Sequence, residues 1–141
     1  MRKLILFALL ITGINVAGKA QNPIKMNNDN NNKLAVIWSS GDPEVAQKVC
    51  FMYALNAKKQ GWFDDVVLIV WGPSAKLLAE NEDLQAEMQK ITEAGVVVEA
   101  CITCANMYGV AADLKDLDID VRPMGVPLTN YLKEGWRTLN F

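Results

Sequence analysis

Apolar runs alternating with helix-period segments from residue 34 onward place this chain in the α/β class, as a mainly parallel five-stranded sheet with helices on both faces. Three observations carry this expectation. Leu34-Ala35-Val36-Ile37-Trp38 and Asp65-Val66-Val67-Leu68-Ile69-Val70-Trp71 are nearly continuous apolar runs, as strands buried on both faces require. Each run breaks at turn residues, Ser39-Ser40-Gly41 and Gly72-Pro73-Ser74, before a helical pattern begins. A third run, Val96-Val97-Val98-Glu99-Ala100-Cys101, ends in a thiol and leads into a short helix.

The first residues have a different character. Met1-Arg2-Lys3 is a positive start, Leu4 to Val16 is an apolar stretch broken by Gly13 and Asn15, and Gly18-Lys19-Ala20 is a small-x-small site. Residues 1–20 therefore read as a secretory signal peptide cleaved after Ala20, with a retained membrane anchor as the alternative. Cleavage implies a secreted, periplasmic protein with no membrane attachment. Residues 21–32, with five asparagines packed around Asp29 at 27–32, read as a disordered leader. Residues 33–141 are long enough for one domain with a real core.

Within that domain, Asp42-Pro43-Glu44 opens the first helix with a carboxylate cap, proline at the first helical position and an acid in the first turn. Val45, Val49, Met52 and Tyr53 fall at helical spacing and are expected to face the core, with Cys50 a packed hydrophobe beside them. The run 65–71 is the most apolar strand and is expected at the centre of the sheet. Helices are expected over 75–80 and 84–94, with Leu77, Leu78, Leu84, Met88 and Ile91 buried and Gly95 as the stop. A short helix over 111–117, a strand over 119–122, a helix over 127–134 and an edge strand over 136–141 complete the pattern.

Composition removes several functions. The chain has no histidine, which rules out Ser-His-Asp and Cys-His catalysis and any histidine-ligated zinc site. No metal site and no cofactor are expected. Without residues 1–20 the chain keeps 11 basic and 16 acidic residues, a net charge of −5, which does not favour nucleic acid.

Sites in open α/β sheets form at the carboxyl ends of the strands. Gly41, Trp71-Gly72-Pro73, Cys101 with Cys104, and Gly125 all fall at such ends and are expected to converge on one rim. A thiol at a strand end beside a helix N-terminus meets unpaired N–H groups, which favour thiolate without a base. Cys101 and Cys104 are therefore the expected reactive residues and the expected internal pair in an oxidising compartment. Gly41, Trp71, Gly72, Pro73 and Gly125 are the expected binding residues around them.

Three stretches resemble one family. They are Val70-Trp71-Gly72-Pro73, Gly95 to Cys101 with Gly109 eight residues past the cysteine, and Tyr131-Leu132-Lys133-Glu134-Gly135-Trp136. On these residues the chain resembles the DsrE/DsrF-like family of small sulfur-relay proteins. The resemblance implies a three-layer α/β/α flavodoxin-like fold, homo-oligomers that are trimers or hexamers, and a sulfurtransferase or sulfur-carrier role with a persulfide on Cys101. Its donor and acceptor would be thiol or persulfide proteins that the sequence does not identify. Cys104 departs from the single-cysteine pattern and leaves a dithiol/disulfide redox protein as an alternative; a noncatalytic oligomeric binding protein is the third reading.

Overall fold

The computed structural model describes residues 32–141. The expected signal peptide and all but the last residue of the leader lie outside the described residues. Five strands, β1 (Lys33–Trp38), β2 (Asp65–Val70), β3 (Val97–Cys101), β4 (Asp120–Arg122) and β5 (Arg137–Asn140), form one sheet in the order β4-β3-β2-β1-β5. Every pairing is parallel, and β2 is central, as its apolar run predicts. The helices are α1 (Pro43–Val45), running through a π-helical segment (Ala46–Phe51) into α2 (Met52–Lys59), then α3 (Pro73–Glu80), α4 (Glu82–Glu93), α5 (Ile102–Tyr108), α6 (Ala111–Asp116) and α7 (Gly125–Lys133).

Chain direction explains how the helices divide. From β1 to β4 each step moves one strand the same way, and right-handed crossovers set the intervening helices on one face. The step from β4 back past β1 to β5 reverses direction and carries α7 to the other face. The two apolar clusters follow this split. One combines Leu34, Val36, Trp38, Leu68, Val70 and Ala100 with side chains of the π segment and α2 to α6. The other combines Ala35, Val67, Ile69, Cys101 and Met124, with Trp71, Cys104, Leu128, Tyr131 and Trp136 packed around them. Alternate residues of each strand serve alternate faces, so the central strands are apolar on both faces, with Glu99 of β3 the exception.

Asp42 caps α1 by accepting the Glu44 N–H at 2.8 Å, and Pro43 takes the first helical position, both as expected. The buried stripe that follows is not the expected one. Val49 and Met52 are exposed and Val45 and Tyr53 half-buried, whereas Ala46, Cys50, Phe51, Ala54 and Ala57 are buried. Small side chains let the helix approach the sheet closely, with Phe51 set edge-on to Trp38 at 4.9 Å between ring centroids. The wider π turn shifts the register away from a simple 3.6 repeat.

The last helix also starts earlier than its sequence suggests. Pro127 lies in the first turn of α7 rather than at its first position, where its missing N–H has no helical partner to lose. Phe63 packs partly against the core, while Trp62 stays exposed against Tyr53.

Candidate functional site

Cys101 is the last residue of β3 and the N-cap of α5, in extended conformation at φ −75°, ψ 110°. Gly109, in the left-handed region at φ 74°, ψ 18°, ends the helix. Strand alternation turns Cys101 toward the α7 face, where it is buried beside Met124. No short capping hydrogen bond forms there, since a neutral thiol accepts weakly. As a thiolate, the sulfur is differently placed. Burial acts against the charge, but the Cys104 N–H, the Cys104 thiol and the Met124 and Thr103 N–H groups outweigh it and hold the Cys101 pKa below the ordinary thiol value.

Cys104 behaves in the opposite sense. Burial raises its pKa, the Gly72 N–H works against that rise, and its hydrogen bond and charge interaction with Cys101 reinforce it. The two thiols therefore divide the roles, one tending to thiolate and the other remaining the proton donor to it. Both are free thiols, as is Cys50. Cys50 is fully buried on the opposite face, and burial pushes its pKa up to about 12.

Of the expected rim residues, Trp71 and Gly72 lie beside this pair, Gly41 adjoins Pro73, and Gly125 follows Met124. Trp71 packs in the Cys101 cluster, and the Gly72 N–H is the backbone group that lowers the Cys104 pKa against its burial. A turn fastened by Ser74 sets that geometry. The buried Ser74 hydroxyl donates to the Trp38 carbonyl at 2.5 Å and accepts from the Trp71 N–H at 3.0 Å, tying the ends of β1 and β2 to the start of α3. A Cβ on Gly41 would stand 3.4 Å from the Pro73 Cβ, so the first rim loop touches the second. Gly125 follows Met124 and opens α7.

Strand order reverses between β1 and β5, the usual place for a ligand in such sheets. Here the Phe141 carbonyl fills that end, accepting from the Ser39 and Ser40 N–H groups and the Ser39 hydroxyl. The cysteines lie two strands away, on β3.

Sequence reasoning missed a polar cluster beneath the thiol. Glu99, two residues before Cys101 on the same face, is only 2 % exposed. Its Oε1 accepts from Arg122 Nη2 and, at 3.0 Å, from the Tyr131 hydroxyl; its Oε2 has no partner among the described residues. Arg122 pairs with Cys101 across the sheet, and its Nε stands 3.1 Å from Asp120 Oδ2, a charge contact without hydrogen-bond alignment. Burial and the Glu99 carboxylate push the Tyr131 pKa up to about 12, so it stays a neutral donor. The available signal was one acid inside an otherwise apolar run, Val96 to Cys101.

Among the described residues, no group of three or more metal-ligating side chains gathers and no helix is long and apolar enough to cross a membrane. A groove of about 520 Å³ beside α4, lined in part by Glu82, Glu93, Asp116 and Asp118, shares no residue with the cysteine rim.

Comparison with known proteins adds the family. Residues 32–141 match the model of the DsrE/DsrF-like family. A solved structure of a conserved protein of unknown function, BT1422 from Bacteroides thetaiotaomicron, is similar at 39% identity with a TM-score of 0.75, covering 79% of this chain and 96% of that one. The ychN protein from E. coli shares the fold at a TM-score of 0.61 and 15% identity, over 77% of this chain and 98% of that one. No curated protein matches. The family match spans the whole sheet, the cysteine rim included, and the chain belongs to the DsrE/DsrF-like family.

Proposed function

We propose that this protein is a sulfur carrier or sulfurtransferase that accepts and passes a persulfide on Cys101. The observation that carries the reading is the place of Cys101, last residue of β3 and N-cap of α5, buried beside Met124, where neighbouring backbone N–H groups hold its pKa below the ordinary thiol value. The thiolate attacks the outer sulfur of a donor persulfide, R–S–SH. The new S–S bond forms at Cys101, and the donor leaves as RS⁻. An acceptor thiolate then attacks the outer sulfur on Cys101, takes it as its own persulfide and returns Cys101 as thiolate. Neither step changes net oxidation state, and neither needs a metal or cofactor.

A second reading is favoured by Cys104, which packs beside Cys101 and whose interaction with it shifts the two thiols in opposite directions. Cys104 attack on the inner sulfur of a Cys101 persulfide would release hydrogen sulfide and leave a Cys101–Cys104 disulfide, the oxidised form of a dithiol redox protein.

Export and self-association complete the proposal. Cleavage after Ala20 would place the mature chain, beginning at Gln21, in the periplasm, and N-terminal sequencing of secreted protein beginning at Met1 would refute it. Assembly as a trimer or hexamer is supported by family membership and by apolar side chains left exposed on and beside α7: Val97, Val126 and Leu132. A monomer by light scattering across a wide concentration range would refute that. For the activity itself, intact mass after incubation with a low-molecular-weight persulfide separates the readings. A gain of one sulfur supports the carrier, a loss of two hydrogens supports the redox protein, and an unchanged mass supports a noncatalytic binding protein.

A further inference from the structure

We infer that Glu99, Arg122 and Tyr131 are positioning residues for the Cys101 thiol: the buried carboxylate fastens the β4–α7 corner whose Met124 packs against Cys101. This deepens the reading of Cys101 as the reactive thiol and rests on it.

The need for such a fastening follows from how α7 is held. Among the described helices of eight or more residues, it alone has no fully buried residue, and it is the single helix on its face of the sheet. Apolar packing therefore fixes it weakly. Two polar ties supplement that packing, and both end on one carboxylate oxygen. The Tyr131 hydroxyl on α7 donates to Glu99 Oε1, and Arg122, two residues before Met124, bonds the same atom. Met124, the N-cap of α7, and Tyr131 are seven residues apart, two helical turns, and both turn toward the cluster around Cys101. Holding Tyr131 thus sets the rotation of the helix and the aim of the corner that precedes it. Tyr131 is itself braced by Trp136, at 4.5 Å between ring centroids.

The carboxylate has little other reason to be there. A buried Glu with one oxygen unmatched costs stability that a valine at the same place would not. Its position on β3, one same-face step below Cys101, is where a tie could link the thiol's strand to both β4 and α7.

The titratable groups on this face near Cys101 are Cys104 on α5, Glu99 on its own strand, Asp120 and Arg122 on β4, and Tyr131 on α7. Lys33 and Asp65 sit at the opposite ends of their strands. Two variants separate positioning from plain electrostatics. Tyr131→Phe changes no charge at neutral pH, so it moves the Cys101 titration only through geometry. Glu99→Gln removes a negative charge, which alone would lower the Cys101 pKa, whereas loss of the fastening raises it.

The test is mass-mapped alkylation of the reduced full chain across pH, for wild type, Tyr131→Phe, Glu99→Gln and Arg122→Lys, with folding checked by circular dichroism. Positioning predicts that the Cys101 pKa rises by about half a unit or more in Tyr131→Phe and Glu99→Gln, a roughly threefold or greater fall in thiolate fraction below the pKa. Arg122→Lys keeps the charge but loses the guanidinium fork, and should move it the same way. Cys50 labelling should not change. An unchanged Cys101 titration in Tyr131→Phe, or a fall in Glu99→Gln, overturns the inference; if Glu99→Gln does not fold, Tyr131→Phe decides. Should wild-type Cys101 already titrate as an ordinary thiol, the functional reading fails; a low pKa shared by every variant refutes the network alone.

Discussion

Replacing Gly72 by alanine should cost stability out of proportion to the one methyl group added. Gly72 stands at φ 70°, ψ −134°, a region of backbone space that side-chain-bearing residues rarely enter. Pro73 follows it and further restricts residue 72 toward extended conformations at negative φ. A Cβ built at Gly72 meets nothing within 4 Å, so no clash contributes and the cost is that of the backbone alone, about 1–3 kcal/mol. For a domain of this size that is a melting-temperature fall on the order of 5–15 °C. Gly125→Ala is the matched control. Its Cβ also meets nothing within 4 Å, its φ is not in the left-handed region, and it opens a helix, so alanine there should be neutral or stabilising by up to about 1 kcal/mol. If the Gly72→Ala protein relaxes by turning the peptide at that position, the N–H that faces Cys104 moves away and Cys104 should alkylate more slowly. Thermal and urea unfolding of both variants supply the test. A Gly72→Ala protein within about 0.5 kcal/mol of wild type would refute the backbone argument.

Cys50 should label far more slowly than Cys101 in native protein, and it should make the fold sensitive to alkali. Its folded pKa, about 12 against an ordinary 9.0, lies above its unfolded value, so its contribution is complete below about pH 9 and is lost as pH rises toward 12. Urea midpoints should fall over that window, by less in Cys50→Ala than in wild type; equal slopes would contradict the assignment. Met52→Lys should lie within about 0.5 kcal/mol of wild type because the side chain is exposed, whereas Ala54→Leu should cost about 1–3 kcal/mol by overpacking the helix–sheet contact. Chemical denaturation checks both, and a cost for Met52→Lys equal to that for Ala54→Leu would restore the stripe read from the sequence.

The fold was legible because β1, β2 and β3 are apolar on both faces, and only a sheet covered on both sides accounts for three such runs separated by helical patterns. The buried stripe of the first helix was not legible. Periodicity favours the large residues Val49 and Met52, but the buried cluster on this face of the sheet takes Ala46, Ala54 and Ala57 instead, with Phe51 against Trp38. The rim could be read from turn residues at strand ends, since Gly41, Gly72 and Cys101 each follow or end a strand. What could not be read were contacts made by backbone from distant segments. Nothing local to Met124 or Gly72 indicates that their N–H groups meet Cys101 and Cys104. Glu99 was visible as an anomaly, but its partners Arg122 and Tyr131 lie 23 and 32 residues away and become neighbours only through the β3–β4 pairing and the return of α7 across the sheet.

Sulfur uptake by Cys104→Ser protein tests the central claim most directly. Cys104 is the thiol in contact with the Cys101 sulfur, and removing it removes the group able to discharge a persulfide there as hydrogen sulfide. Wild type, Cys101→Ser and Cys104→Ser proteins would each be reduced, exposed to a low-molecular-weight persulfide, and mapped by mass. The account predicts one added sulfur on Cys101, accumulating most in Cys104→Ser and absent from Cys101→Ser, with Cys50 unmodified. No added sulfur on Cys101 even without Cys104, or labelling at Cys50 first, would contradict it.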